Sequence, residues 1–217
     1  MARHVLRELL GAALFGALAG ALFTSGVTAA ADVSDMEYDA AVRAARAGDF
    51  DNALPVIERR RIQNPFDLSA AYDYLVVLGW ANRLAEAVAA YEALPAGQPP
   101  AYVEAAAARD YRDLGQYDKA LGLYEEGRQH YPQNLDFVYG EILTLTDAKR
   151  AGEAIDQGNA LLASHPDDPQ LLSALLYALQ TTDRHAETLA IANHLAQLDP
   201  SDREARREQI TQTGELG

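Results

Sequence analysis

The 217-residue chain contains no cysteine. That absence removes disulfides, thiol nucleophiles, cysteine-ligated metals and the lipid-bearing cysteine of a bacterial lipoprotein. Catalytic signatures are missing as well. No segment reads G-x-S-x-G, G-x-x-x-x-G-K-[ST], G-x-G-x-x-G or H-E-x-x-H. His4, His130, His165, His185 and His194 do not share metal-ligand spacing, and Asp49-x-Asp51-Asn52 lacks the glycine and terminal glutamate of a calcium loop. No enzyme, cofactor or metal is therefore expected. Strand-like runs are scarce, Leu75-Val76-Val77-Leu78 being the one exception. Basic residues are few: 18 Lys and Arg stand against 32 Asp and Glu, a net charge of −14. That balance disfavours nucleic acid and anionic membranes, and it admits cationic partners or plain solubility.

Long apolar runs are also lacking. Leu9 to Phe23 is the longest, short of the roughly 20 residues that span a bilayer. Arg3, His4 and Arg7 precede it, and Ala29-Ala30-Ala31 follows with a small-x-small pattern. Residues 1–31 thus read as a signal peptide cleaved before Asp32, rather than a retained anchor. The expected destination is the periplasm, with association to the outer membrane.

What the chain does have is a period. Pro65, Pro99, Pro132, Pro166 and Pro200 are spaced by 34, 33, 34 and 34 residues. Twelve residues before each proline stands a small side chain: Ala53, Ala87, Ala120, Ala154 and Thr188. Only a small residue lets two helices approach closely there. Ser34 with Glu37, and Ser201 with Glu204, have the spacing of capping boxes, and Asp67, Asn134 and Asp168 stand at N-cap positions. Gly48-Asp49, Leu114-Gly115 and Thr182-Asp183 mark turns within units. The segment from Tyr111 to Leu121, with Tyr124 and Pro132, closely resembles the tetratricopeptide signature. An all-α, right-handed solenoid of about five tetratricopeptide repeats is expected. Its units are 34–67, 68–100, 101–134, 135–168 and 169–202, the second one residue short. Residues 203–217 read as a capping helix or as the start of a sixth unit.

We number places within a unit so that the proline falls at place 32. Places 2, 5, 9, 12 and 13 then share one face of the first helix. In tetratricopeptide proteins that face lines the groove, as the resemblance implies. It holds Tyr38, Tyr72 and Tyr139 at place 5, Tyr102 at place 2, Tyr177 at place 9 and Trp80 at place 13. Arg109, Asp113, Asp136 and Asp147 join them, so the charge is mixed. Exposed rings suit sugar C–H faces or a peptide. Packing of the same tyrosines between neighbouring units is an equal alternative. Tyr74, Tyr91, Tyr111, Tyr117 and Tyr124 are expected in the core.

Tyr38-Asp39, Ala45-Arg46-Ala47-Gly48-Asp49, Leu75 to Arg83 with Glu86-Ala87, Tyr111 to Ala120, and Leu143 to Ala148 with Glu153-Ala154 form a wider pattern. Over residues 38–200 it resembles the periplasmic repeat domain of the poly-β-1,6-N-acetylglucosamine export porins. The resemblance implies a binding module that guides partly deacetylated exopolysaccharide during biofilm export, beside a de-N-acetylase. The export family continues into a barrel of many strands, which these 217 residues do not contain. A scaffold for envelope complex assembly is the alternative.

Overall fold

The computed structural model describes residues 32–201, 203, 206–209 and 211. The expected signal peptide at 1–31, and Glu204 of the second capping box, lie outside the described residues. Among those described, ten helices follow one another: α1 Asp35–Arg46, α2 Phe50–Gln63, α3 Leu68–Trp80, α4 Leu84–Glu92, α5 Ala101–Asp113, α6 Tyr117–His130, α7 Asp136–Asp147, α8 Ala151–Leu162, α9 Pro169–Leu179 and α10 His185–Leu198. Residues 206–209 are again helical, and no described residue is in a strand. Short turns fold the helices into five antiparallel hairpins. Each helix packs on the next, and α3, α5, α7 and α9 also touch in succession. The result is an all-α tetratricopeptide solenoid, in which apolar surface is buried between neighbours rather than in one central core.

Four hairpins share one turn. Gly48, Asn82, Gly115 and Lys149 all have positive φ, at 87°, 57°, 73° and 65°. All four stand at place 15. The following N–H, of Asp49, Arg83, Gln116 or Arg150, reaches back to the carbonyl of Ala44, Leu78, Tyr111 or Leu145 at 2.8–2.9 Å. This closes the first helix with a left-handed residue, where glycine costs least. The fifth hairpin uses a longer turn, in which Thr181 and Thr182 hydroxyls donate to the carbonyls of Ala178 and Leu179.

Second helices start in a repeated way too. Arg83, Arg150 and Arg184 each stand just before one and clamp Glu86, Glu153 and Glu187 with two hydrogen bonds of 2.5–2.7 Å. The small-residue column is fully buried: Ala53, Ala87, Ala120, Ala154 and Thr188. The run Leu75 to Leu78 is helical and buried within α3.

Caps depart from expectation in detail. Ser34 Oγ accepts from Glu37 N–H, but the Glu37 carboxylate turns to Arg59 at 2.5 Å instead of closing the box. Asn134 Oδ1 accepts from Asp136 N–H, but the N-cap position of α7 falls one residue later, on Leu135. The second hairpin differs most. Its α4 has nine residues, against 12 to 14 in the other second helices. Pro95 cannot continue a helix, and Pro99-Pro100 holds the chain extended. Residues 93–100 become an irregular connection.

Lysine at φ 65° is the costliest of the four turn residues. Lys149→Gly is expected to raise unfolding free energy by about 1 kcal/mol, and Gly115→Ala to lower it by a similar amount. Urea denaturation followed by circular dichroism measures both.

Candidate functional site

The first helices carry the ten sequence-selected residues, and the structure sorts them into two clusters and several outliers. The first cluster sits where α1, α3 and α5 begin. Tyr38 O–H donates to the Asp73 carboxylate at 2.5 Å. The Arg60 guanidinium lies 5.7 Å from the centre of the Tyr38 ring. Burial pushes the Tyr38 hydroxyl well above its ordinary pKa, and the bond to Asp73 and the charge of Asp73 push it further. Tyr102, 52% exposed, is raised by burial and by the nearby Asp73 and Tyr72. Tyr72 is half-buried.

The second cluster sits where α5, α7 and α9 end. Tyr177 O–H donates to Asp147 at 2.6 Å, and Asp147 also lies 3.4 Å from Arg112. Arg112 meets Asp113 at 3.1 Å. One residue from each of three hairpins thus meets at Asp147. That hydrogen bond, followed by burial, raises the Tyr177 hydroxyl.

Trp80 ends α3 and is 43% exposed. Arg109 is exposed and forms no ion pair among the described residues. Asp136 is exposed at the start of α7 and joins neither cluster. Tyr139 follows the packing alternative and not the surface role. It is only 9% exposed and packs with Ile142, Leu145 and Leu171, and its hydroxyl donates to Asp168. Asp168 is also the N-cap of α9. Burial opposes the charge of Asp168, but the bonds from Tyr139 and from Leu171 and Gln170 N–H outweigh it, and its pKa is lowered. Tyr38, Tyr139 and Tyr177 therefore all bridge neighbouring hairpins, while Trp80, Tyr102 and part of the Tyr177 ring stay open to solvent.

Asp73 and Asp168 were not selected from the sequence as site residues. They accept from tyrosines 35 and 29 residues away, so no fixed offset reveals them. Asp110 was not selected either. It is 1% exposed, and its Oδ2 has no hydrogen-bond partner. A Cβ on Gly79 would lie 2.7 Å from both carboxylate oxygens, so only glycine leaves room. Of the second-helix and inner tyrosines, Tyr74, Tyr111 and Tyr124 are buried as expected, whereas Tyr91 and Tyr117 are half-buried. His130 Nδ1 meets the buried Glu104 carboxylate at 3.4 Å. Among the described residues, no group of three His, Asp or Glu could hold a metal. No helix there is long and apolar enough to cross a membrane.

Comparison with known proteins follows the same lines. Residues 111–176 match the Tetratricopeptide repeat family model. Poly-beta-1,6-N-acetyl-D-glucosamine export protein of Escherichia coli (strain K12) is 30% identical over 169 residues, covering 78% of this chain and 20% of that protein. The chain thus spans about a fifth of the length of this curated relative. Among solved structures, MamA MSR-1 has a TM-score of 0.60 at 22% identity, covering 78% of this chain and 98% of MamA. YrrB, a TPR protein with an unusual peptide-binding site, has 0.61 at 15%, covering 80% and 91%. A thermophilic TPR protein of Thermus thermophilus has 0.63 at 20%, covering 81% and 98%. These likenesses show the fold.

Asp110 generates a pH dependence. Burial raises its carboxyl to about 6, with Arg109 opposing and Asp113 adding. A raised carboxyl binds its proton more tightly in the folded chain. Its contribution is therefore full below about pH 4 and lost as pH rises through 6. A shift of about two pKa units corresponds to about 3 kcal/mol. Asp110→Asn is expected to raise the melting temperature by several degrees at pH 7.5 and to flatten its decline between pH 4 and 6. Thermal scans over that range check both.

Proposed function

We propose that this tetratricopeptide solenoid is a glycan-guiding module of a biofilm exopolysaccharide export system. Its ligand in this reading is a partly deacetylated β-1,6-linked N-acetylglucosamine polymer. The observation that carries the proposal is three exposed rings on first helices, Trp80 at the end of α3, Tyr102 at the start of α5 and Tyr177 on α9, in a chain 30% identical to an export protein for that polymer. Aromatic faces stack on the C–H faces of sugar rings and attract ammonium groups. Asp73 beside Tyr102 and Asp147 beside Tyr177 supply carboxylates at two of those rings, and the net charge of −14 draws in a cationic polymer. Such a module would work in the periplasm, next to a de-N-acetylase and an outer-membrane barrel.

A second reading is a scaffold for protein partners in envelope assembly. Phe66, 98% exposed, together with Ile62 at the end of α2 and in the turn after it, favours this reading, since large exposed apolar side chains mark protein contacts.

The full chain titrated with β-1,6-linked glucosamine oligomers tests the first reading. Partly deacetylated oligomers are expected to shift Trp80 fluorescence and to bind more weakly as salt rises. Tyr102→Ala and Asp113→Asn are expected to weaken binding several-fold. No fluorescence or calorimetric response at millimolar oligomer would overturn the glycan reading, and pull-downs with Phe66→Ala as control would then test the second.

A further inference from the structure

The short α4 leaves a space that the other hairpins fill with helix. It is a cavity of about 380 Å³ between the start of α3, the end of α4 and residues 94–99. That volume lies at the lower end of the range for small-molecule sites, about 300–1,000 Å³. Tyr72 and Tyr91 line it, with Leu68 and Leu94 beside them and Glu92 and Gln98 at its polar side. Leu75, Val76, Val103 and Ala106 form the packed layer on which Tyr72, Tyr91 and Leu94 rest.

The walls are held before any ligand arrives. Tyr131 O–H donates to the Pro99 carbonyl at 2.6 Å, which ties the irregular segment to α6. Leu94 N–H closes on the Tyr91 carbonyl at 3.0 Å. Glu92 Oε1 accepts from Tyr111 at 2.7 Å and from Lys119 at 2.9 Å, which fixes that carboxylate and keeps it charged. Three polar groups of the lining residues, by contrast, are unspent. The hydroxyls of Tyr72 and Tyr91 and the amide of Gln98 make no hydrogen bond among the described residues, unlike the hydroxyls of Tyr38, Tyr111, Tyr131, Tyr139 and Tyr177. Two half-buried rings, two free hydroxyls, one free amide and a fixed carboxylate make an amphipathic lining. A pyranose ring has the same division, with apolar C–H faces and a polar hydroxyl edge.

We infer that this cavity is a subsite for one pyranose ring, distinct from the exposed rings Trp80, Tyr102 and Tyr177 on the first helices. Tyr72 and Tyr91 would stack on the ring, and Gln98 and Glu92 would take its hydroxyl or amide edge. The inference rests on the glycan reading for the identity of the sugar, but its position in the fold is its own. Tyr72 lines the cavity and lies near the exposed Tyr102, so a polymer held at Tyr102 would have the cavity beside it.

The test combines two probes with the full, isotope-labelled chain: methyl β-N-acetylglucosaminide and a partly deacetylated β-1,6 oligomer. Amide NMR shifts are expected at Leu68, Tyr72 and residues 91–98 with both probes, saturating at millimolar monosaccharide. Tyr91→Phe and Gln98→Ala keep the packing and are expected to weaken this response at least fivefold, with unchanged circular dichroism. Trp80→Ala should leave the monosaccharide response intact. Monosaccharide shifts in the cavity without oligomer binding at Trp80, Tyr102 or Tyr177 would support the subsite while overturning the groove reading. Oligomer binding that responds to Trp80→Ala but not to Tyr91→Phe or Gln98→Ala would overturn the subsite alone. Absence of any shift with either probe would overturn both.

Discussion

Each hairpin closes on a side chain no larger than threonine. At Ala53, Ala87, Ala120, Ala154 and Thr188 the second helix comes close enough to the first that nothing larger fits without displacing the pair. The rest of the molecule follows from that contact. It sets the distance between the helices and brings the apolar stripe of each hairpin onto its neighbour. Five separate core clusters form along the stack instead of one centre. The first helices also come into succession, which is the geometry any groove on this chain needs.

The polar links between hairpins are built differently. Tyr38 to Asp73, Tyr139 to Asp168 and Tyr177 to Asp147 each join one hairpin to the next. A tyrosine suits this work because its ring packs as an apolar body while its hydroxyl reaches a carboxylate. The same residues were candidates for ligand contact and for inter-repeat packing, and the structure divides those roles unevenly. Tyr139 is spent on packing, Tyr102 and Trp80 are open, and Tyr38 and Tyr177 do some of both.

Asp110 and the cavity beside Tyr91 share a cause. Both belong to the second hairpin and its contact with the third, where the repeat is least regular. Gly79 leaves room for a buried carboxylate, and Pro95 ends α4 early. The other hairpins repeat more of the same contacts at the same places. Here the irregular hairpin leaves a buried carboxylate oxygen without a partner and unfilled space.

The sequence by itself determined the helical period, the small-residue column, the glycines at two of the four left-handed turns and the all-α class, because each depends on contacts a few residues apart or repeated every 34. It also identified which tyrosines share a first-helix face. Only the tertiary structure decided which of them are free. Whether a ring at place 5 meets solvent or the next hairpin depends on an acceptor supplied from a different distance each time, as Asp73 and Asp168 show. The cavity at α4 was equally hidden. Pro95 and the missing residue were visible in the sequence, but the space they leave is bounded by the start of α3, the end of α4 and the 94–99 segment. Local pattern determines an element; enclosure requires several elements at once, and only folding brings them together.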